Sequence, residues 1–332
     1  MTRSEIAPAS LAGVVILALV TVAALAAPAL APYEAGTRFA DHVHAPPTWP
    51  HVRHEGTFRA PFIYPWRLVD RLEQRYEQDR TRPVPLAWFD EGRLVRSADD
   101  SASPFLLLGA DRDGRDVLGR LLRGARTSLA LAFAATLGAL LIGAFVGSVA
   151  GIAGRAVDDV LMRVAEFVIV LPTVYVVLVL RGALPLVLPP GVVFGLMAGI
   201  FSLAGWPFVA RGVRGIISSE GAREYAVAAR SLGAGRARLV LRHLLPACTG
   251  FLAVQATLLV PAFIVAEATL SYVGLGFSDP VASWGAMLRE AADVTFADFP
   301  WTLAPAGAIF LVVLAFNLLV QAQPLAARGP AR

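Results

Sequence analysis

Six long apolar runs divide the chain into candidate membrane spans. They cover residues 10–31, 127–152, 160–180, 192–209, 250–272 and 301–320. Each run is close to or longer than the roughly 20 residues that a helix needs to cross a bilayer. A signal peptide also contains an apolar run, but the first run is long, lacks a clear cleavage pattern and is followed by further spans. The pattern therefore predicts an all-α polytopic membrane protein with six transmembrane helices.

Arginines in the short loops predict the orientation of these spans. The loop after the fourth run holds seven of them: Arg211, Arg214, Arg223, Arg230, Arg236, Arg238 and Arg242. The loops on the opposite side, 181–191 and 273–300, hold only Arg181 and Arg289. Positive charge accumulates in cytosolic loops. We therefore expect the seven-arginine loop and both termini to be cytosolic.

The spans and their orientation predict four parts of the chain. These are a cytosolic N-terminus with the first helix (1–31), an extracytoplasmic insertion (32–106), a five-helix core with a cytosolic loop at 212–247 (107–320) and a cytosolic tail (321–332). The insertion is rich in aromatic residues, so we expect a small folded unit of mixed structure. Within it, residues 67–80 place Leu68, Leu72 and Tyr76 at helical spacing, which predicts a short amphipathic helix.

The composition agrees with a membrane protein and excludes some classes. The chain is 56% hydrophobic and 16% charged, and its mean hydropathy is +0.62. Its 29 basic residues are all arginine, whereas a phosphate-binding P-loop requires a lysine. The net charge of +4 is ordinary for a membrane protein and is no argument for nucleic-acid binding. The single cysteine, Cys248, leaves no internal disulfide, and no catalytic motif or cofactor signature is present in the sequence.

The loop between the fourth and fifth runs contains two short helical patterns. Tyr225, Ala228, Ala229 and Leu232 form one stripe, and Leu239, Val240, His243 and Leu244 form another. Gly233 and Gly235 allow a turn between them. An amphipathic pair of this kind can dock into a groove of a partner protein. It can also rest on the lipid surface with its arginines toward the head groups.

Several other polar residues and glycines are candidates for a role within the spans. Glu267 lies inside the fifth run, where an ionisable residue faces either a solute path or a structural hydrogen-bond partner. Arg163 and Glu166 can form an ion pair near the end of the third run. Gly143, Gly147 and Gly151 are four residues apart, a spacing that favours close helix packing over a gate or dimer contact.

Four of the five histidines lie in one short segment of the insertion. They are His42, His44, His51 and His54. Neutral imidazoles can ligate a transition metal, but the prolines between these histidines indicate an exposed irregular strand. We therefore expect no metal site.

The arginine-rich loop resembles the EAA loop of ATP-binding-cassette importer permeases, specifically those of the dipeptide, oligopeptide and nickel family. The matching residues are Glu224, Tyr225, Ala228, Ala229, Arg230, Leu232, Gly233, Arg242, His243, Leu245 and Pro246. Val227 departs from the pattern, because the family usually has a glutamate directly before the two alanines.

The resemblance extends over roughly residues 105–320. Residues 107–129 are similar to the family's segment before the second span, with Asp111, Gly114, Arg115, Asp116, Arg120 and Gly124 in place. Residues 158–172, 267–291 and 314–319 are similar to segments of its third, fifth and sixth spans. The C-terminal tail departs from the acidic-basic end common in the family.

The resemblance implies a type I importer permease fold and a place in the inner membrane. It implies that the chain forms half of a translocation path for peptides or similar small solutes, with nickel or another non-peptide solute as the alternative. The implied partners are a second permease subunit, two cytosolic ATPase subunits and an extracytoplasmic solute-binding protein. The helix pair at 220–243 would couple the ATPases to the spans. A membrane-embedded enzyme is the alternative from another class.

Overall fold

Long apolar helices dominate the computed structural model, which describes residues 8–172, 175–176, 179, 188–292 and 298–322. The helices are α1 (Pro8–Leu25), α2 (Ala27–Leu30), α3 (Val117–Ile152), α4 (Arg155–Val170), α5 (Pro190–Gly221), α6 (Glu224–Ser231), α7 (Arg236–Leu239), α8 (Thr249–Val273), α9 (Trp284–Ala292) and α10 (Ala304–Ala322). The largely helical architecture of a polytopic membrane protein is confirmed.

Four helical segments are long and apolar enough to cross a membrane. They are Val117–Ile152, Pro190–Gly221, Arg236–Val273 and Pro300–Val320, and a shorter apolar helix covers Ser10–Leu25. In the third apolar run, α4 ends at Val170 and part of the remaining run lies outside the described residues. The number of six spans therefore stays a prediction, as do the cytosolic ends, most of whose residues lie outside the described part.

The segment between α2 and α3 forms strands. These are β1 (His51–His54), β2 (Thr57–Ile63), β3 (Trp66–Asp70), β4 (Arg75–Gln78), β5 (Val84–Asp90) and β6 (Arg93–Ser97). Antiparallel pairing builds a four-stranded sheet in the order β1-β2-β5-β6, and β3 pairs with β4 in a separate hairpin. Ile63, Val84, Leu86 and Phe105 form a buried core beside the larger sheet.

The predicted amphipathic helix at 67–80 is wrong, because this segment is the β3–β4 hairpin. Leu68 pairs with Tyr76 across the two strands, so a spacing of eight residues fits a hairpin as well as a helix. The Asp70 carboxylate accepts hydrogen bonds from the backbone N–H groups of Leu72 (2.8 Å) and Glu73 (3.1 Å). Such a side-chain-to-backbone turn competes with a helix. Leu72, which the helix would bury, is 96% exposed at the hairpin turn.

The chain divides into two compact units, of which the first comprises residues 1–10, 129–267 and 316–332. In this unit α3 packs closely on α5 through small residues. A Cβ atom on Gly147 would lie 2.5 Å from the carbonyl oxygen of Ala210, and one on Gly151 would lie 2.7 Å from a methyl carbon of Ile217. The glycine spacing therefore serves helix packing, as predicted.

The second unit comprises residues 11–128 and 268–315 and contains the strands. Here Trp284, at the start of α9, is 1% exposed. Its indole N–H donates to the carbonyl of Leu121 (3.1 Å), and its backbone N–H donates to the hydroxyl of Ser128 (3.2 Å). These two bonds fix α9 against the first turns of α3.

Candidate functional site

The arginine-rich loop folds into the predicted pair of short helices, α6 and α7, which we call the helix pair. Gly233 lies between them with φ +83°, in the left-handed region that favours glycine. Gly235 precedes α7 with φ −63° and ψ 155°, an extended conformation open to any residue. The turn therefore requires a glycine at one of the two positions, and that position is Gly233.

Few contacts hold α6 against α5. Ala226 is the buried residue of α6, at 0% exposure. The Tyr225 hydroxyl donates to the Glu220 carboxylate at the end of α5 (2.7 Å), and Arg223 forms an ion pair with the same carboxylate (3.1 Å). The hydrogen bond to Glu220 raises the pKa of Tyr225. Glu220 therefore links the end of α5 to the start of the helix pair.

The two stripes predicted on the pair have opposite environments. Tyr225 is 42% exposed and Leu232 is 89% exposed. Ala228 is exposed as well, while Ala229 is half-buried. In the second stripe Leu239, Val240 and Leu244 are buried and His243 is half-buried, so this stripe faces inward. The first helix thus offers an apolar surface to the outside, and the second anchors the pair to the rest of the chain.

The departure from the family pattern lies on the exposed helix. Val227 is half exposed, and Glu224 at the first position of α6 is exposed as well. The position that usually holds a glutamate therefore presents an apolar side chain to the outside of this chain. A partner that docks here meets one carboxylate, from Glu224, where the usual pattern offers two.

A groove runs beside the helix pair. It is lined by the ends of α3 and α5, at Gly151 and Gly221, and by Arg230, Arg236 and Leu239 of the pair. A Cβ atom on Gly221 would lie 3.2 Å from the guanidinium of Arg230. The absence of a side chain at Gly221 therefore leaves room for this guanidinium against the end of α5.

Residues from two segments that are similar to the family form a charge cluster around two buried arginines, in the unit that contains the strands. It consists of Asp111, Asp113, Arg115, Arg120, Asp279 and Glu290. Arg120 donates to the Glu290 carboxylate through two nitrogens, at 2.5 and 2.8 Å. Arg115 donates to Asp111 (2.8 Å) and to Glu290 (3.0 Å), and it also contacts Asp279. Residues 107–129 and 267–291, both similar to family segments, are therefore joined by these ion pairs.

Burial and nearby charges shift the pKa of two carboxyl groups here, Asp111 in the cluster and Asp116 beside it. Burial disfavours the charged form of Asp111, but the charges of Arg120 and Arg115 and a backbone hydrogen bond outweigh it and lower the pKa of this carboxyl. Asp116 caps α3 by accepting hydrogen bonds from the backbone N–H groups of Gly119 (2.8 Å) and Leu118 (3.2 Å). Its complete burial nevertheless raises its pKa to about 7.

The candidate residues within the spans differ in exposure. Glu267 of α8 is fully buried, at 0% exposure. Its role in a solute path stays a prediction. Arg163 and Glu166 form an ion pair of 3.6 Å in which both side chains are exposed. Cys248 is buried directly before α8, as expected for a small apolar residue at a helix end.

The four histidines of the insertion make separate contacts. His44 pairs with Gln74 (2.6 Å) and stacks on Phe299, with ring centroids 4.3 Å apart. His54 pairs with Tyr64 (3.0 Å), and His51 packs against the same tyrosine ring. His42 and His44 are both buried, so the expected exposed strand is wrong at these positions. Across the described residues, no three histidine, cysteine or acidic side chains are arranged to hold a metal ion.

Three functional candidates were not found from the sequence. Glu220 is five residues from Tyr225, across a helix end, and its only signal was an acidic residue three positions before Arg223. Asp279 and Glu290 pair with arginines more than 160 positions away. A single sequence contains no signal for contacts at that separation.

The family model for "Binding-protein-dependent transport system inner membrane component" matches residues 139–323. The oligopeptide transport system permease protein OppC of Bacillus subtilis is 37% identical over 67% of this chain and 71% of its own length. The di/tripeptide transport system permease protein DppC of Pseudomonas aeruginosa is 30% identical over 93% of this chain and 84% of its own. The nickel transport system permease protein NikC of Escherichia coli is 35% identical over 64% of this chain and 74% of its own.

These matches cover more than half of the chain and include the helix pair, α8 and all of α10. The apolar helices and the helix pair agree with the same assignment. The chain belongs to the binding-protein-dependent transport system inner membrane components, as a permease subunit of an ATP-binding-cassette importer.

Proposed function

We propose that the chain carries peptides across the membrane as one of two permease subunits, and that α6 docks on an ATPase subunit. The similarity to the oligopeptide and di/tripeptide permeases supports peptides as the solute class. The similarity to a nickel permease keeps a non-peptide solute as the second candidate. Solute choice in such importers is shared with a separate binding protein, so this chain supplies the path rather than the whole of the selectivity.

The exposed surface of α6 is the observation that carries the docking proposal. A helix with six exposed residues among its eight would gain little by folding alone. It nevertheless presents Tyr225 to the outside, and Leu232 directly after its last residue, beside Glu224 and Arg230. Apolar anchors surrounded by charged side chains are typical of a helix that fits into a groove.

The second half of the helix pair supplies the mechanical link. Leu239, Val240 and Leu244 are buried, and the backbone continues through a π turn and a 3-10 turn into α8. A displacement of α6 by the ATPase would therefore be passed to α8, which holds Glu267. ATP can shift the equilibrium between inward- and outward-facing states only through contacts that differ between them. We propose that the α6 contacts are among these.

The proposed assembly has this chain paired with a second, similar permease in the membrane. Two ATPase subunits bind on the cytosolic side, where the helix pair and both termini lie, and a solute-binding protein docks on the opposite side. Arginine enrichment in the loop at 211–242 supports this orientation. We assign residues 32–106 to the outer side and Glu267 to the translocation path or its support.

The complete complex, reconstituted in proteoliposomes, tests the docking surface. Leu232→Glu and Glu224→Arg should each reduce ATPase co-purification and solute-stimulated ATP hydrolysis by about tenfold, the factor for a loss of about 1.4 kcal/mol. Arg80→Glu, an exposed charge change in the insertion, is the control and should leave both unchanged. Full ATPase recruitment by both docking variants would refute the proposal.

Uptake by the unmodified complex tests the solute class. A labelled tripeptide should accumulate in an ATP-dependent way, and Ni²⁺ should neither accumulate nor compete. ATP-dependent Ni²⁺ uptake without peptide uptake would instead establish the second candidate.

A further inference from the structure

Three exposed aromatic residues lie toward one end of the four-stranded sheet. Strand β2 begins, and its antiparallel neighbour β5 ends, at this end of the sheet. The turns Glu55–Gly56 and Glu91–Gly92, one in each hairpin, therefore both lie toward this end of the sheet. Phe58 and Phe89 are each 79% exposed and Trp88 is 51% exposed. We call the two turns and these three aromatic residues the sheet tip.

The backbone conformation at the sheet tip leaves these aromatic rings exposed. Phe89 has φ +55°, a left-handed conformation that is uncommon for a bulky residue. Glu55 and Gly56, like Glu91 and Gly92, also have positive φ, as expected for two-residue hairpin turns. A bulky residue held in a rare conformation with its ring in the open is a reason to look for a function.

Contacts of β6 place the sheet tip beside the outer end of the first apolar helix. Arg93, which follows the Glu91–Gly92 turn, donates through its guanidinium to the carbonyl of Ala31 (2.9 Å), directly after α2. Ala27 and Ala31 are both fully buried there. A Cβ atom on Gly119, in the first turn of α3, would lie 3.4 Å from the Cβ of Ala31. The end of α2, the start of α3 and the start of β6 therefore lie at one level.

The direction of β6 shows which end of the sheet is nearer the helix. Its first residue, Arg93, bonds to Ala31, whereas Asp100, beyond its last residue, accepts a hydrogen bond from the hydroxyl of Tyr33 (2.9 Å). The strand therefore starts beside the carbonyl of Ala31 and leads toward the hydroxyl of Tyr33. The turns of the sheet tip precede Arg93 and lie on the helix side of the sheet.

The surface of α1 continues toward this level with side chains suited to lipid. Leu19, Val22 and Leu25 are 64%, 62% and 69% exposed, as expected for a helix that faces acyl chains. Aromatic side chains favour the boundary between hydrocarbon and head groups. Arg53 and Arg59, both exposed near the tip, have side chains suited to lipid phosphates.

We propose that the sheet tip inserts into the head-group region of the outer leaflet, with Phe58, Trp88 and Phe89 as the contacting side chains. The insertion is then held at both its covalent ends by helices and at the sheet tip by lipid. Such a contact would fix the height of the insertion above the membrane. It is independent of the solute and of the ATPase surface, so it goes beyond the proposed transport function.

Site-directed fluorescence in the reconstituted full chain tests the lipid contact. Cys248→Ser removes the native thiol, and Phe58→Cys or Phe89→Cys then carries a nitrobenzoxadiazole label. Both labels should show blue-shifted emission and should be quenched several-fold more by lipids with a nitroxide near the top of the acyl chain than by lipids with one near its end. Arg80→Cys, exposed and distant from the sheet tip along the chain, should report water and no lipid quenching.

Two outcomes would overturn the proposal. The first is emission at positions 58 and 89 equal to that at position 80, with no quenching by either lipid. The second is protection of positions 58 and 89 only after the solute-binding protein is added, which would assign the sheet tip to that protein. Because two independent label positions are used, local disruption by one substitution does not decide the result.

Discussion

The charge cluster and the helix pair both contain arginines and acids, but they use them in opposite ways. In the cluster the side chains of Arg115 and Arg120 are each 2% exposed and bonded to several carboxylates. In the helix pair Glu224 and Arg230 are exposed, and α6 is held by Ala226 and the bonds to Glu220. Buried charges that are fully paired fix a geometry. Exposed charges around apolar side chains leave a surface free for a partner. The first arrangement therefore serves the scaffold, and the second serves contact.

The largest effect is expected from removing one cation of the cluster. Arg120→Ala would remove one of the two arginines that the carboxylates of Glu290 and Asp111 share, and would leave Arg115 as their remaining shared cation. Breaking a buried ion pair in this way costs about 3–5 kcal/mol. We expect a large loss of thermal stability in detergent and a lower yield of folded protein. Arg163→Ala, which removes an exposed pair with Glu166, should change stability by about 1 kcal/mol or less.

The buried carboxyl of Asp116 is expected to make stability depend on pH. The unfolded carboxyl ionises near its ordinary value of 3.8, and the folded one near 7. Between these pH values the folded chain keeps a proton on this carboxyl that the unfolded chain has lost. The free energy of unfolding therefore falls as pH rises, by up to about 1.4 kcal/mol per pH unit. Above pH 7 the group has no further effect. Asp116→Asn keeps an oxygen acceptor for the helix cap. The free energy of unfolding of this variant, relative to that of the unmodified chain, should rise from pH 4 to pH 7. Equal pH profiles of stability for the two proteins would contradict this account.

The turn of the helix pair offers two matched glycines. A Cβ atom would meet nothing within 4 Å at either Gly233 or Gly235, so only the backbone conformation distinguishes them. Gly233→Val forces a β-branched residue to positive φ, which costs about 1–3 kcal/mol locally. It should abolish most solute-stimulated ATP hydrolysis while the chain still inserts normally. Gly235→Val should retain full activity, and equal activity of the two variants would remove the turn from the coupling mechanism.

The smallest effect is expected from the hydroxyl of Tyr225. Tyr225→Phe removes one exposed hydrogen bond to Glu220 and keeps the aromatic ring on the surface of α6. Such a bond contributes about 1 kcal/mol or less. ATP hydrolysis should fall by no more than about fivefold, and Glu220→Gln should behave alike. A much greater loss would show that Glu220 does more than position α6.

The sequence predicted local elements well where one helix or turn decides them. The apolar runs located the long helices, and the pattern at 223–247 located the helix pair with its glycine turn. The residues between 67 and 80 were assigned wrongly because Leu68 and Tyr76 fit a helical spacing and a cross-strand pair equally. The hydrogen bonds of Asp70 to the turn decided between these, and a hydropathy pattern does not contain them.

Contacts between distant parts of the chain were not predictable from one sequence. Arg120 and Glu290 are 170 positions apart, and nothing in either segment marks the other as its partner. The same holds for Arg93 and Ala31, which are 62 positions apart and lie beside the sheet tip. For α6 the helical spacing predicted the stripe, but only the packing of Ala226 against the rest of the chain established which face is outward.

Cross-linking from Leu232 tests most directly whether α6 is a docking surface. In a Cys248→Ser background, Leu232→Cys carries a photoactivatable cross-linker in the complete complex. Leu72→Cys, which replaces an apolar side chain of similar exposure, 96% against 89%, is the matched control. The account predicts cross-links from position 232 to an ATPase subunit, with a yield that changes when ATP binds, and none from position 72. Cross-links from position 232 to lipid alone would contradict it and make the helix pair an element that rests on the membrane surface.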